Sequence, residues 1–222
     1  MANPDYTLLR GAPEAVAANK VLKNTYLLLA ATLGFSALTA MLSMALHMPP
    51  MVYMGAVLVS MVLGIFVLPR TANSSAGIGV IFLITGLLGF GLGAILSIYL
   101  ALPHGPETVA MAFGGTAAIF LGLSGYALTS RRDFSFLGGF VFAGMMVLLI
   151  AMVANIFFAI PALSLAISAA MILLMSAMIL WDTSRIARGE ETNYIMATYS
   201  IYLSIFNLFI SLLQLLGIMG DD

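Results

Sequence analysis

The stretch SAMILWDTSRIARGEETNY, residues 176–194, decides the fold of this chain. It closes an almost wholly apolar run, residues 162–181, and the residue that follows Trp181 is Asp182. A bilayer core of roughly 30 Å needs about 20 apolar residues in a helix. The stretch therefore predicts the end of a membrane-spanning helix with an acidic residue at its boundary.

The composition of the whole chain agrees with this prediction. Of 222 residues, 62% are hydrophobic and 8% are charged, whereas soluble domains carry roughly 25% charged residues. The net charge of −1 leaves no basic surface, which argues against nucleic acid as a partner. Cysteine is absent, which excludes disulfides and thiolate chemistry. We therefore expect an all-α integral membrane protein with the lipid bilayer as its surroundings.

Seven apolar segments, separated by linkers rich in Pro, Gly or charge, predict a seven-transmembrane helical bundle. The segments are residues 24–46, 51–68, 77–101, 109–129, 135–158, 162–181 and 194–218. We therefore expect three parts: a mobile cytoplasmic N-terminal tail (1–23), a membrane domain (24–218) and a short outer C-terminal tail (219–222).

The positions of the cations predict the orientation of this bundle. With seven spans, all eight Lys and Arg residues fall on one side: Arg10, Lys20, Lys23, Arg70, Arg131, Arg132, Arg185 and Arg188. Cytoplasmic loops carry the excess of Lys and Arg. The N-terminus is therefore expected in the cytoplasm and the C-terminus in the periplasm. The first 23 residues contain no apolar segment typical of a cleavable signal peptide.

Asp182 is unusual among the nine acidic residues because the other eight lie in tails or loops. One interpretation places it at a helix end in headgroup water, paired with Arg185 three residues on. A negative charge at a helix C-terminus, however, opposes the macrodipole by a few tenths of a kcal/mol or more. Ionisable groups at membrane depth are also functional candidates. Both interpretations stay open.

A polar seam runs along one face of span seven at steps of four and three. Its members are Ser200, Ser204, Asn207, Ser211 and Gln214. Lipid offers no hydrogen bonds, so this face is expected to point into the bundle or a wet cavity. The alternative is interhelical packing, with each contact contributing about 0.6 kcal/mol.

Asp182, Ser204 and Asn207 together form a candidate pH or cation site, with Arg185 and Arg132 as candidate ion partners. No catalytic, cofactor or metal site is predicted, because His47 and His104 both lie in outer loops. Gly89 and Gly93 form a G-x-x-x-G pair, which predicts a close-packing helix face.

Six motifs carry a family resemblance that covers nearly all of residues 20–217. They are KVLKNTYLLLA (20–30), AFGGTAAIF (112–120), YALTSRRDFSFLGG (126–139), MVANIF (152–157), GEETNYI (189–195) and NLFISLLQLLG (207–217). With this order and spacing, the chain resembles the Bax-inhibitor family and, within it, the bacterial YccA-like branch.

The resemblance implies a seven-helix bundle with a central seventh helix, and it implies two functions. The YccA-like branch implies a non-enzymatic inner-membrane protein that modulates FtsH-type AAA proteolysis, as a slowly degraded competitor substrate or partner. Other family members imply a weak pH-sensitive calcium or cation leak with paired aspartates on spans six and seven. Asp182 matches the first aspartate, and Ser204 stands at the second. A scaffold whose polar seam only packs is a third interpretation.

The predicted orientation is testable with reporter fusions. Fusions after Arg70, Arg132 and Arg188 should report the cytoplasm, and fusions within 103–107 and after Asp222 the periplasm, because all cations share one side. A cytoplasmic C-terminus would leave an even number of spans and contradict the prediction.

Overall fold

Helices account for nearly all of the described chain. The computed structural model describes residues 5–130 and 132–219. The elements are α1 (Asp5–Ala45), α2 (Met51–Val62), a π-helical segment (Leu63–Val67), α3 (Leu68–Thr71), α4 (Ser75–Leu100), α5 (Gly105–Ser130), α6 (Phe136–Phe158), α7 (Pro161–Ala187) and α8 (Tyr194–Met219). No strand occurs among these residues. The all-α prediction is confirmed.

Seven segments are long and apolar enough to cross a membrane, with α2, the π segment and α3 forming one of them. The seven predicted spans are confirmed, although two boundaries differ by more than five residues. The sequence predicts an end at Trp181, whereas α7 continues to Ala187. It also predicts a start at residue 24, whereas α1 begins at Asp5. The division into two tails and a membrane domain stays a prediction, and residues 1–4 and 220–222 lie outside the described residues.

The π segment in span two has a local cause in the sequence. Pro69 lacks a backbone N–H, and in an α-helix its ring would meet the carbonyl of Ile65. The wider turn just before it, closed by the Leu68 N–H and the Leu63 carbonyl, relieves this conflict. The Arg70 guanidinium also donates a hydrogen bond to the Phe66 carbonyl. The span therefore reaches Thr71 without a break.

Glycines let α4 lie directly against α1. A Cβ atom at Gly89 would lie 2.2 Å from the carbonyl oxygen of Ser36, and one at Gly93 would lie 2.2 Å from that of Ala40. Only hydrogen fits between backbones at these distances. The close-packing face predicted from Gly89 and Gly93 is confirmed, and α1 is its partner.

The last helix, α8, packs against α1, α4, α5 and α7. At its middle, the hydroxyl of Tyr202 lies 2.7 Å from the Ser36 Oγ of α1 and donates a 3.3 Å hydrogen bond to the Thr85 carbonyl of α4. All three residues are buried. Since lipid supplies no partner for such groups, these bonds favour the arrangement in which the three helices meet.

The α1–α4 contact predicts unequal effects of one substitution at two positions of α4. Gly89→Ala should lower the free energy of unfolding by about 1–3 kcal/mol, because the new methyl group would overlap the α1 backbone. Gly79→Ala is the matched control, since nothing lies within 4 Å of a Cβ there. Unfolding by SDS in mixed micelles measures both. Equal stabilities would contradict the described packing.

Candidate functional site

Asp182 lies inside α7 and is only 4% exposed. The interpretation that it sits at a helix end in headgroup water is wrong, because α7 continues for five residues beyond it. Ile186 explains the extension, since its fully buried side chain packs in the main hydrophobic cluster. Thr183 and Ser184 are also buried. A carboxyl group is thereby held within the bundle, where its charge needs specific partners.

The closest partner of Asp182 comes from α8. The Ser200 hydroxyl donates a 2.5 Å hydrogen bond to Asp182 Oδ2, a length typical of a hydroxyl bound to an ionised carboxylate. The predicted partner Arg185 is farther away, with its Nη1 atom 4.0 Å from Oδ1. The main stabilising contact of Asp182 is therefore a hydroxyl from the neighbouring span.

Arg185 is shared among three groups. Besides Asp182, it lies 3.6 Å from the carboxylate of Glu191, and its guanidinium lies 4.9 Å from the centre of the Trp181 ring. Such stacking on an aromatic face favours a fixed guanidinium position. Arg185 thus lies between the buried Asp182 and the partly exposed Glu191.

Arg132 is not an ion partner of Asp182, which corrects the prediction; no ion pair between them occurs in the described structure. Its backbone carbonyl instead accepts a 3.0 Å hydrogen bond from Ser184. The physical reason is that Arg188 holds the loop after α5 to the end of α7. It pairs with Asp133 and donates a 3.0 Å hydrogen bond to Ser135.

The contacts of Asp133 with Ser135 and Arg188 depend on pH. Hydrogen bonds from the Ser135 side chain and backbone, followed by one from Arg188, lower the pKa of the Asp133 carboxyl to about 2. A carboxyl with a lowered pKa in the folded protein stabilises that state above its ordinary pKa. The Asp133 contacts therefore persist above about pH 4 and are lost as the pH falls toward 2.

The polar seam of α8 contacts α7 at both of its ends. Ser200 binds Asp182, and Gln214 accepts a 3.0 Å hydrogen bond from Ser168. Between them, Ser204 and Asn207 donate to carbonyls of α8 itself, at 3.0 and 2.8 Å. The middle of the seam therefore contributes no hydrogen bond between helices.

Ser211 belongs to the same seam and is buried. With it, all five seam residues are buried or partly buried within the bundle. The seam therefore faces the interior of the bundle.

A cavity of about 400 Å³ lies beside the middle of the seam. Its polar lining includes the whole candidate site, namely Asp182, Ser204 and Asn207, together with Ser200 and Arg185. The structure thus brings these predicted residues to one place. That this site binds an ion or a proton stays a prediction.

Several cavity residues were not identified from the sequence. Glu191 lies in the loop after α7 and reaches the cavity because the chain turns back at Gly189, where φ is +75°. Methionines from α6, α7 and α8 form much of the apolar wall. The GEETNY segment was a usable signal for Glu191, whereas isolated methionines in apolar helices give none. Among the described residues, no three His, Cys, Asp or Glu side chains cluster as metal ligands.

The contact between Ser200 and Asp182 predicts a stability effect. Ser200→Ala should lower the free energy of unfolding by about 1.5–3 kcal/mol, because it leaves a buried carboxylate without its donor. Ser176→Ala is the matched control on α7, since that hydroxyl bonds only the Ile172 carbonyl of its own helix. SDS titration in mixed micelles provides the measurement. A loss no larger than that of the control would show that this hydrogen bond contributes little.

Known proteins resemble this chain over nearly its full length. It is 47% identical to an uncharacterised membrane protein of Vibrio cholerae over 222 residues, all of both chains. It is 51% identical, over 205 residues and 92% of each chain, to the Escherichia coli protein named "Modulator of FtsH protease YccA". A second E. coli strain has a relative of equal identity and coverage named "Inner membrane protein YccA".

These relatives and the seven apolar helices identify a multi-pass inner-membrane protein. Residues 18–221 match the family described as "Inhibitor of apoptosis-promoting Bax1". The match takes in every membrane span, from α1 to α8. The chain belongs to this Bax-inhibitor family.

Proposed function

We propose that this protein modulates an FtsH-type membrane protease and that it acts as a slowly degraded competitor substrate or partner, not as an enzyme. The observation that carries the proposal is the 51% identity, over 92% of each chain, to the E. coli protein named a modulator of that protease. A modulator of this kind has to engage the protease and then resist extraction from the membrane.

The packing of the bundle supports resistance to extraction. An AAA motor that pulls on one helix has to separate it from its neighbours, and α1 is locked to α4 at Gly89 and Gly93. It is also bonded to α8 through Ser36 and Tyr202. Pulling on α1 therefore breaks backbone contacts and buried hydrogen bonds together. Slow degradation follows from the cooperativity of these contacts.

The start of α1 supplies a segment for engagement. α1 begins at Asp5, well before its apolar part, and Val16 is 68% exposed. A short helical segment outside the membrane span unfolds at little cost. In the proposed orientation, with the N-terminus cytoplasmic, the C-terminus periplasmic and α8 central, this segment faces a cytoplasmic motor.

The described residues also support a non-enzymatic role. Ser124, the most plausible nucleophile by its G-x-S-G surroundings, lies 3.4 Å from the Thr183 hydroxyl and next to no base. His104 pairs with Glu107 at the start of α5. Nucleophilic catalysis needs a base within hydrogen-bond reach, and this part of the chain brings none to Ser124.

The proposed function predicts competition in a reconstituted system. Added to an FtsH-type protease and a labelled membrane substrate in liposomes, the protein should slow substrate degradation, because it occupies the protease for long periods. Deleting residues 1–16 should abolish this effect while the bundle still inserts, since the deletion removes no membrane span. Degradation of the labelled substrate over time is the measurement.

Asp182→Asn in the full-length chain is the matched control. It alters the cavity and leaves the N-terminal segment intact, so competition should persist. If the shortened chain competes as well as the intact one, the N-terminal segment has no part in engagement.

The cavity favours a second candidate function, a weak calcium or cation leak. The specific observation is a buried carboxylate, Asp182, that lines a cavity together with Ser204 and Asn207. Intramembrane carboxylates that face cavities commonly mark ion routes. In this chain, the serine at position 204 leaves Asp182 as the one carboxylate contributed to the cavity by the facing surfaces of α7 and α8.

The leak is tested by ion flux in liposomes. Asp182→Asn should reduce calcium flux, because the cavity loses its buried charge. Ser204→Asp should make the flux depend on pH, since two nearby carboxylates repel and one binds a proton more tightly. Ser211→Asp is the control on the same seam, because Ser211 does not line the cavity. Flux that is unchanged by both Asp182→Asn and Ser204→Asp would exclude the cavity as the route.

A further inference from the structure

The charges that line the cavity do not balance. Asp182 and Glu191 contribute two carboxylates, and Arg185 contributes the one guanidinium among the described lining residues. With both acids ionised, the lining carries one uncompensated negative charge. An uncompensated charge in a partly enclosed site attracts a cation.

Arg185 makes no close hydrogen bond with either carboxylate. Its nitrogens lie 4.0 Å from Asp182 and 3.6 Å from Glu191, whereas close charge-assisted hydrogen bonds measure about 2.7–2.9 Å. The Asn193 N–H also donates a 2.9 Å hydrogen bond to Glu191 Oε1. Because Arg185 stands off from both acids, each carboxylate keeps an acceptor position for a second cation. Ser200 occupies one oxygen of Asp182, and the other oxygen is the one that faces Arg185.

Much of the rest of the lining is apolar and deformable, beside the polar side chains of Ser200, Ser204 and Asn207. Met145 of α6, Met175 and Met178 of α7, and Met196 of α8 contribute thioether side chains, and Leu203 adds an aliphatic one. Methionines adapt to ligands of different shape and are common at promiscuous binding surfaces. A cavity of about 400 Å³ also falls within the range of small-molecule sites.

We propose that this cavity binds a lipophilic organic monocation, a compound whose single positive charge is carried by an apolar body. The charge lies on the cavity side of Asp182 and Glu191, next to Arg185, and the apolar body contacts the methionines. Arg185 and Glu191, with side chains 30% and 24% exposed, form the entrance, and Asp182, at 5%, forms the deep end.

The same features disfavour a small hard cation as the preferred ligand. Calcium takes six to eight oxygen ligands, and the described residues contain no cluster of three acidic or histidine side chains. A diffuse organic charge needs no such coordination shell, and its apolar body gains from the methionine wall.

This proposal names a ligand class for the cavity and does not depend on the protease role or on ion flux. Binding is measured without a membrane potential or gradient, so its failure is distinguishable from failure of the leak. The chain contains a single tryptophan, Trp181, whose ring stacks with Arg185 next to Asp182. Its fluorescence is therefore a local reporter of cavity occupancy.

The experiment titrates the protein in nanodiscs at pH 8 with tetraphenylphosphonium and with tetraphenylborate, which share a shape and differ in charge. Empty nanodiscs correct for partition into lipid. The cation should change Trp181 fluorescence saturably, and the anion should bind at least tenfold more weakly. Asp182→Asn and Glu191→Gln should each raise the Kd for the cation, by about tenfold and severalfold, because each removes a carboxylate from the site.

Glu190→Gln is the matched control for Glu191→Gln, because Glu190 pairs with Arg188 and does not line the cavity. It should leave the Kd within twofold. If Asp182→Asn does not fold, the pair Glu191→Gln and Glu190→Gln still decides the question. Equal binding of cation and anion, or a Kd that is the same in the Glu191→Gln and Glu190→Gln proteins, would overturn the proposal.

Discussion

The hydrogen bond from Ser200 to Asp182 organises the α7–α8 pair where α7 nears its C-terminal end and α8 begins. A carboxylate inside a bundle is costly unless its oxygens have partners. Because the partner comes from α8, the charge fixes the register of α7 against α8. Gln214 and Ser168 fix the same pair of helices again nearly four turns away. The cavity lies alongside the first of these two points, where Asp182, Ser200 and Ser204 line it.

Elsewhere in the bundle, close packing at glycines contributes as well. Lipid is as apolar as the helices, so their association depends on close contact rather than on exclusion of water. The α4 glycines supply that contact for α1, and Gly64 supplies it for the Tyr199 ring, where a Cβ would overlap the hydroxyl. Tight packing of α4 on α1 and of span two on Tyr199 is therefore encoded by glycines placed at particular turns.

Much of the fold was predictable because its signals are local. Seven apolar segments, the Gly89–Gly93 pair and the α8 polar seam can each be recognised from composition and periodicity alone. Asp182 is singled out by its position in the sequence, but its burial is not predictable from there. The polar residues that follow it, Thr183, Ser184 and Arg185, are typical of a helix end at the membrane–water boundary. Only the packing of Ile186 draws them into the bundle.

The ion pairs were less predictable for a related reason. Arg132 and Arg188 lie on the same side of the membrane, and no sequence spacing tells which of them reaches which acid. The loop conformation decided that Arg188 binds Asp133, and the turn at Gly189 decided that Glu191 faces the cavity. Long-range contacts of flexible side chains depend on loop geometry, which periodicity does not describe.

The π segment of span two has a consequence for changes in chain length. A π turn holds one residue more than an α turn, so deleting one residue between Leu63 and Val67 would convert it to regular helix and keep the flanking faces aligned. A deletion elsewhere in the span would instead rotate everything beyond it by about 100°. The tolerated deletion would, however, place Pro69 in an α-helical interior, at a cost of about 3 kcal/mol. Loss of a residue here therefore requires the loss of Pro69 as well, and the two features should be gained or lost together.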